Sequence, residues 1–179
     1  MQYVILGVLL GGPLSLYDVR KRFSAGISLF YSASLGSLQR ALQQLVADGS
    51  VTVADAVGDA RGKKLHSVTE RGRERWRRWM LAPVPDGGDA EKVVLAKVYL
   101  LGRLDDPRDR AAVLTALRAR VADAEAGLRT LEHAVDAAAH GVADADRAVF
   151  AYQRATLDYG LRAHGLLLAW LDELAEARA

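Results

Sequence analysis

Between residues 58 and 72 the chain reads GDARGKKLHSVTERG, which places Arg61, Lys63 and Lys64 within a span of four residues beside Gly58 and Gly62. Three cations on a short loop suit the chemistry of oxyanions, because guanidinium and ammonium groups neutralise phosphates and release the counterions condensed on a polyanion. The glycines let such a loop turn sharply and approach a surface closely. A second group lies upstream. Ser34, Ser37, Gln39 and Arg40 fall within seven residues, downstream of Arg20, Lys21 and Arg22. Gln and Arg are side chains that hydrogen-bond adenine and guanine edges, whereas Arg20 and Lys21 suit phosphates on a flank.

Other chemistries find little support. The sequence has no GxxxxGK[ST], no GxGxxG after a strand, no HExxH and no GxSxG, so neither a nucleotide cradle nor a hydrolytic site is expected and the chain is not read as an enzyme. Cysteine is absent, which excludes disulfides and thiolate metal sites and fits a reduced cytoplasm. His133, Asp136 and His140 share one helical face, away from Leu131 and Val135; solvated polar residues account for them, and no metal or other cofactor is expected. The apolar run at the start, MQYVILGVLLGGPLS, is too short to span a bilayer and has no basic residues before it, so neither a signal peptide nor a membrane partner is expected.

The elements that must position these groups follow from spacing and punctuation. Val4, Ile5, Val8 and Leu9 recur at helical spacing over residues 2–10 until Gly11, Gly12 and Pro13 stop them. Ser15 and Asp18 form a capping box for a second helix reaching about Ala25. Ser34 precedes a third helix, whose core face is Leu35, Leu38, Leu42, Leu45 and Val46. Val51 and Val53, then Leu65 and Val68, alternate as strands on either side of the basic loop. Thr69 caps a fourth helix bearing Trp76, Trp79 and Met80. Helix, helix, helix and basic-tipped hairpin is the order of a winged helix-turn-helix, in which the third helix enters the major groove and the hairpin, or wing, lies over the neighbouring backbone or minor groove.

The remainder of the chain differs in composition and sign. Residues 1–80 carry 12 of the 24 Lys and Arg against 6 of the 22 Asp and Glu, a balance of +6, and the rest carries 12 against 16, a balance of −4. The stretch APVPDGGDA at 82–90 reads as a linker. The spacing therefore gives a mainly α chain: a winged helix-turn-helix DNA-binding domain over 1–82, a linker over 83–90 and an all-helical dimerisation domain with coiled-coil-like packing over 91–179. In the latter, Asp106 and Pro107 open a long helix. Leu114, Leu117, Val121, Ala124, Leu128, Leu131, Val135 and Ala138 repeat along it at alternating spacings of three and four. Leu157, Leu161, His164, Leu168, Leu171 and Ala175 do the same near the end of the chain, with Leu167, Trp170 and Leu174 as a second stripe. Two apolar stripes on one helix need two neighbours. A second copy of the chain is the expected supplier, through Leu114, Leu117, Val121, Leu128, Leu131, Leu161, Leu168 and Leu171; a monomeric bundle is the alternative. His164 is expected as a packed histidine on that seam.

Three stretches, ILGVLLGGPLSLYDVRKRF (5–23), FYSASLGSLQRALQQLVADGSV (30–51) and GDARGKKLHSVTERGRERW (58–76), together resemble the N-terminal domain of the PadR family of bacterial transcriptional regulators. The matching positions are Tyr17, then Tyr31, Ser32, Ser34, Gly36, Ser37 and Leu38 at the entry to the third helix. The basic loop adds Arg61, Lys63 and Lys64, followed by Val68, Thr69, Glu70 and Gly72. The helical C-terminal part is similar to the larger subgroup whose C-terminal domain dimerises. The resemblance implies a homodimeric repressor, less often an activator, on a palindromic operator, released by a small aromatic or apolar effector and located with the nucleoid. Trp76, Trp79 and Tyr99 are the expected effector contacts, near the junction of the two domains. Gln39, Leu65 and His66 stand where the family usually has aromatic residues, which implies a different operator sequence. A winged-helix adaptor that binds protein and not DNA is the alternative function.

Overall fold

A computed structural model describes residues 1–56 and 62–177; Gly58 and Arg61 of the basic loop lie outside the described residues. Helix α1 (Gln2–Leu9) buries Val4, Ile5, Leu6 and Leu9, as a helix apolar almost all round must. Helix α2 (Leu16–Ala25) starts at Ser15, whose hydroxyl accepts the Asp18 amide at 3.2 Å while the Asp18 carboxylate accepts the Ser15 amide at 3.2 Å. Helix α3 (Leu35–Ala47) starts at Ser34, which accepts the Ser37 amide at 3.1 Å, and it buries Leu38, Ala41, Leu42 and Leu45. These caps satisfy backbone donors that the first turn of a helix leaves unpaired.

Strands β1 (Val51–Asp55) and β2 (Lys64–Val68) pair antiparallel, with Val51 opposite Val68 and Asp55 opposite Lys64. One contact lies outside the expected hairpin. Leu14, in the turn between α1 and α2, exchanges two backbone hydrogen bonds with His66, of 3.1 and 2.8 Å. That single rung covers the other edge of β2 and ties the wing to the start of α2.

Helix α4 (Glu70–Leu81) begins at Thr69, whose hydroxyl accepts the Gly72 amide at 3.1 Å and donates to the Gly49 carbonyl at 2.7 Å. The helix lies against the hairpin so closely that a Cβ on Gly72 would stand 2.1 Å from the Ser50 carbonyl oxygen. Helix α5 (Ala90–Leu100) follows, burying Val94, Ala96, Lys97 and Leu100, and a 3-10 turn at Leu101–Arg103 leads to helix α6 (Pro107–Ala138). Asp106 accepts the Arg108 amide at 2.8 Å, as its place before Pro107 requires. A 3-10 turn at Asp144–Asp146 precedes helix α7 (Arg147–Glu176).

The chain divides into two compact units, Met1–Val113 and Leu114–Ala179. Residues 83–90, expected to separate two domains, lie inside the first unit. The physical reason is local: Val84 is buried, and the Lys97 ammonium donates to the Ala82 carbonyl, so a stretch rich in Pro and Gly is irregular without being detached. The first unit is a winged helix-turn-helix extended by α5 and the start of α6.

In the second unit α6 and α7 run antiparallel. Arg118 pairs with Asp172 at one end, and Arg154 pairs with Glu132 and Asp136, each at 2.8 Å, towards the other. Four of the eight leucine and valine positions expected to meet a second copy, Leu114, Leu117, Val121 and Leu171, are buried in the single chain, whereas Leu128, Leu161 and Leu168 are half-buried and Leu131 is exposed. His164 is half-buried, its Nδ1 2.8 Å from the Gly160 carbonyl oxygen. A different face of α7 stands open. Val149, Tyr152, Thr156, Tyr159, Ala163, Leu166 and Trp170 repeat at spacings of three and four, and Tyr152, Tyr159 and Leu166 keep 80%, 73% and 74% of their surface exposed. No described helix is long and apolar enough to cross a membrane.

The approach of α4 to the hairpin makes Gly72 a stringent position. Gly72→Ala is expected to lower the free energy of unfolding by about 2–3 kcal/mol, as overpacking against rigid backbone does, measured as a lower urea midpoint at unchanged slope. Wild-type stability in this variant would mean that α4 leaves the hairpin without cost.

Candidate nucleic-acid interface

Helices α2 and α3 and the two wing strands enclose a groove of about 980 Å³. Arg20 from α2, Gln39 from α3 and Lys63 and Lys64 from the wing all line it, together with Gln43 and His66. Residues far apart in sequence thus meet around one concave surface. Gly62, with φ +66°, supplies the left-handed turn from which the chain passes through Lys63 into β2. Lys21 is exposed on α2 but does not line the groove.

Rotation along α3 separates residues that are neighbours in sequence. Leu35, Gln39, Leu42, Gln43 and Val46 face the groove, whereas Ser37 and Arg40 lie on another face with Gln44, beside Gln2 and Tyr3 of α1. At 3.6 residues per turn, Gln39 and Arg40 cannot share one stripe. Arg40 is exposed, while Ser34 is engaged in capping, its hydroxyl also 3.2 Å from that of Ser37. The far end of α3 is held by Arg75, whose guanidinium contacts Asp48, donates to Ser50 Oγ at 3.2 Å and to Gln2 Oε1 at 2.6 Å, and lies 5.5 Å from the Tyr3 ring centre. Burial opposes ionisation of Asp48, but hydrogen bonds from Ser50 and Arg75 outweigh it and hold the carboxyl below its usual range.

Lys63 is not an unattached cation. Its ammonium pairs with Asp18 at 3.2 Å, and the same carboxylate accepts the Ser15 hydroxyl at 2.6 Å. Asp18 therefore caps α2 and anchors the wing at once, a pairing that sequence order hides because the two residues lie 45 positions apart. Lys64 is exposed on the groove wall.

A second cavity of about 680 Å³ lies in the first unit, lined by Tyr3, Phe30, Tyr31, Trp79, Val93 and Ala96 among others. Of the three expected effector contacts only Trp79 lines it. Trp76 is buried in the core, and Tyr99, half exposed, meets the Phe30 ring with centres 5.8 Å apart. Trp79 is already engaged: the Tyr3 ring stacks on it with centres 5.0 Å apart, and the Lys97 ammonium lies 5.5 Å from its ring centre. Lys97 is 1% exposed, and burial lowers its pKa to about 8. Phe30 and Tyr31 sit in the turn that leads to the cap of α3, a connection that residue spacing did not reveal.

The Asp18 carboxyl has its pKa held below the ordinary value by the Ser15 hydroxyl, then the Ser15 amide and Lys63. A carboxyl lowered on folding contributes stability that is fully present above its unfolded pKa near 4 and is lost as the pH falls through its folded value. Asp18→Asn is expected to reduce the stability lost between pH 7 and pH 3, read from urea midpoints at both values. An identical acid loss in the variant would remove Asp18 from the titration.

No protein-family model matches the chain. It is 27% identical to the negative transcriptional regulator PadR of Bacillus subtilis over 105 residues, which are 58% of this chain and 58% of that protein's length. It is 25% identical to a probable transcriptional regulator of Mycobacterium tuberculosis over 99% of its own length and 96% of the relative's. Among solved structures, that of B. subtilis PadR in complex with operator DNA aligns with a TM-score of 0.45 and 21% identity, covering 98% of this chain and 96% of that one. The likeness carried by the motifs of residues 4–80 is thus met again as sequence similarity to regulators of the PadR type.

Proposed function

We propose that the chain is a sequence-specific, DNA-binding transcriptional regulator, a homodimeric repressor of the bacterial cytoplasm and nucleoid that binds an inverted-repeat operator and is released by a small effector. The observation that carries this function is the groove between α2, α3 and the wing, which Arg20, Lys63 and Lys64 line together with Gln39. Cations and an amide lining one concave face supply both parts of DNA recognition, charge for phosphates and a hydrogen-bonding group for base edges. Similarity to two regulators supports the same function. The adaptor alternative would gain from Arg40 and Lys63 buried in ion pairs; in the single chain Arg40 is exposed, and Lys63, though paired with Asp18, keeps 43% of its side chain in solvent.

Dimerisation is assigned to the open face of α7 and to Leu131. Tyr152, Tyr159 and Leu166 lie seven residues apart, so they form one straight stripe on the helix. A contiguous exposed apolar stripe of this kind on one helix marks an interaction surface. A homodimer carries two wings and two α3 helices, and helix-turn-helix dimers bind half-sites one helical turn, about 34 Å, apart.

The effector cavity is the one lined by Tyr3, Phe30, Tyr31 and Trp79. Because Trp79 already carries the Tyr3 ring and the Lys97 ammonium, a planar ligand would stack on Phe30 or Tyr31. A ligand held there touches the turn before α3, and it would act on DNA binding by displacing the entry to that helix.

Selection from a random duplex pool tests the DNA function. Enrichment of an inverted repeat is expected; retention without any enriched sequence would contradict it. The double variant Tyr159→Glu, Leu166→Glu is expected to sediment as a monomer with wild-type helix content, and a dimer that survived it would place the interface elsewhere.

A further inference from the structure

Phosphate binding does not account for the apolar side of the groove. Leu35 is the first residue of α3 and leaves 44% of its surface exposed, and Tyr17 of α2 and Val53 of β1 are exposed on the same groove. Leu42 and Val46 continue the apolar surface along α3. Burying a leucine is worth roughly 1.5–3 kcal/mol, yet the fold leaves this one open on the turn of the helix whose side chains reach base edges in such modules.

Duplex DNA offers a specific apolar group in its major groove, the C5 methyl of thymine. Leu35 and Gln39, four residues apart, line the same groove one turn from each other. The surrounding charge, from Arg20, Lys63 and Lys64, fits a polyanion as the occupant. We propose that Leu35 is a specificity-determining residue that packs against a thymine methyl in each half-site, with Gln39 hydrogen-bonding an adenine edge beside it. This rests on the DNA-binding function proposed above. Exchange of thymine for uracil isolates the contact, since it deletes the methyl and leaves the hydrogen-bonding edge unchanged.

The test uses the full chain and two random duplex pools selected in parallel, one copied with thymidine and one with deoxyuridine triphosphate. The enriched duplex is then resynthesised with single thymine-to-uracil exchanges. At one position per half-site, loss of the methyl is expected to weaken wild-type binding about fourfold, the effect of one buried methylene-sized group. Leu35→Ala is expected to bind the thymine and uracil duplexes equally, which places the coupling on that side chain. Wild-type affinity unchanged by every exchange, or a Leu35→Ala protein that still discriminates, overturns the inference while leaving DNA binding intact. Failure to retain DNA from either pool overturns the inference and the proposed function together.

Discussion

The carboxylate of Asp18 joins two jobs that the interface cannot do separately. It closes the capping box that starts α2, and it holds the Lys63 ammonium at 3.2 Å, so the position of the wing is fixed relative to the helix-turn-helix. The Leu14–His66 rung reinforces the same junction through backbone hydrogen bonds. A wing on a two-stranded hairpin would otherwise be free to swing, since an isolated hairpin is marginal in water. Recognition that uses a helix and a wing together depends on this fixed offset. The arrangement also sets a cost, because Lys63 must loosen its hold on Asp18 before it can neutralise a phosphate fully.

Behind the interface, rigidity comes from close backbone contact and from charges placed among aromatic rings. Gly72 lets α4 rest on the Ser50 carbonyl, and Arg75 links α1, the end of α3 and the start of β1 through Gln2, Asp48 and Ser50. Lys97, buried above Trp79, donates to the carbonyl that ends α4. A lysine in that setting gives up hydration and retains a hydrogen bond and the face of an indole in exchange. The aromatic cavity borders this assembly on one side and, through Phe30, Tyr31 and Ser32, the turn before α3 on the other.

Much of the winged-helix unit was legible because its signals are local. Ser15, Ser34, Thr69 and Asp106 each cap the helix they precede, and the hairpin forms between the alternating runs around the basic loop. Partners distant in the chain were not legible. Nothing at Leu14 announces a rung with His66, and nothing at Asp18 announces Lys63. In the stretch 83–90, Pro and Gly report irregular backbone and not a lack of packing, since Val84 is buried there. Along α7, two stripes obey the same spacing, and spacing alone does not say which one the chain covers itself; Leu171 is buried, and Tyr159 is left open. In the interface, Gln39 and Arg40 were read together as adjacent letters, whereas the turn of α3 places them on different faces.

The salt dependence of binding to the enriched duplex tests most directly whether the wing belongs to a DNA surface. The logarithm of the affinity should fall linearly with the logarithm of salt concentration, and Lys64→Ala should reduce the slope by about one phosphate contact. Lys63→Ala should reduce it by less, because in the free protein Asp18 already balances part of its charge. Slopes unchanged in both variants would contradict a wing that meets DNA.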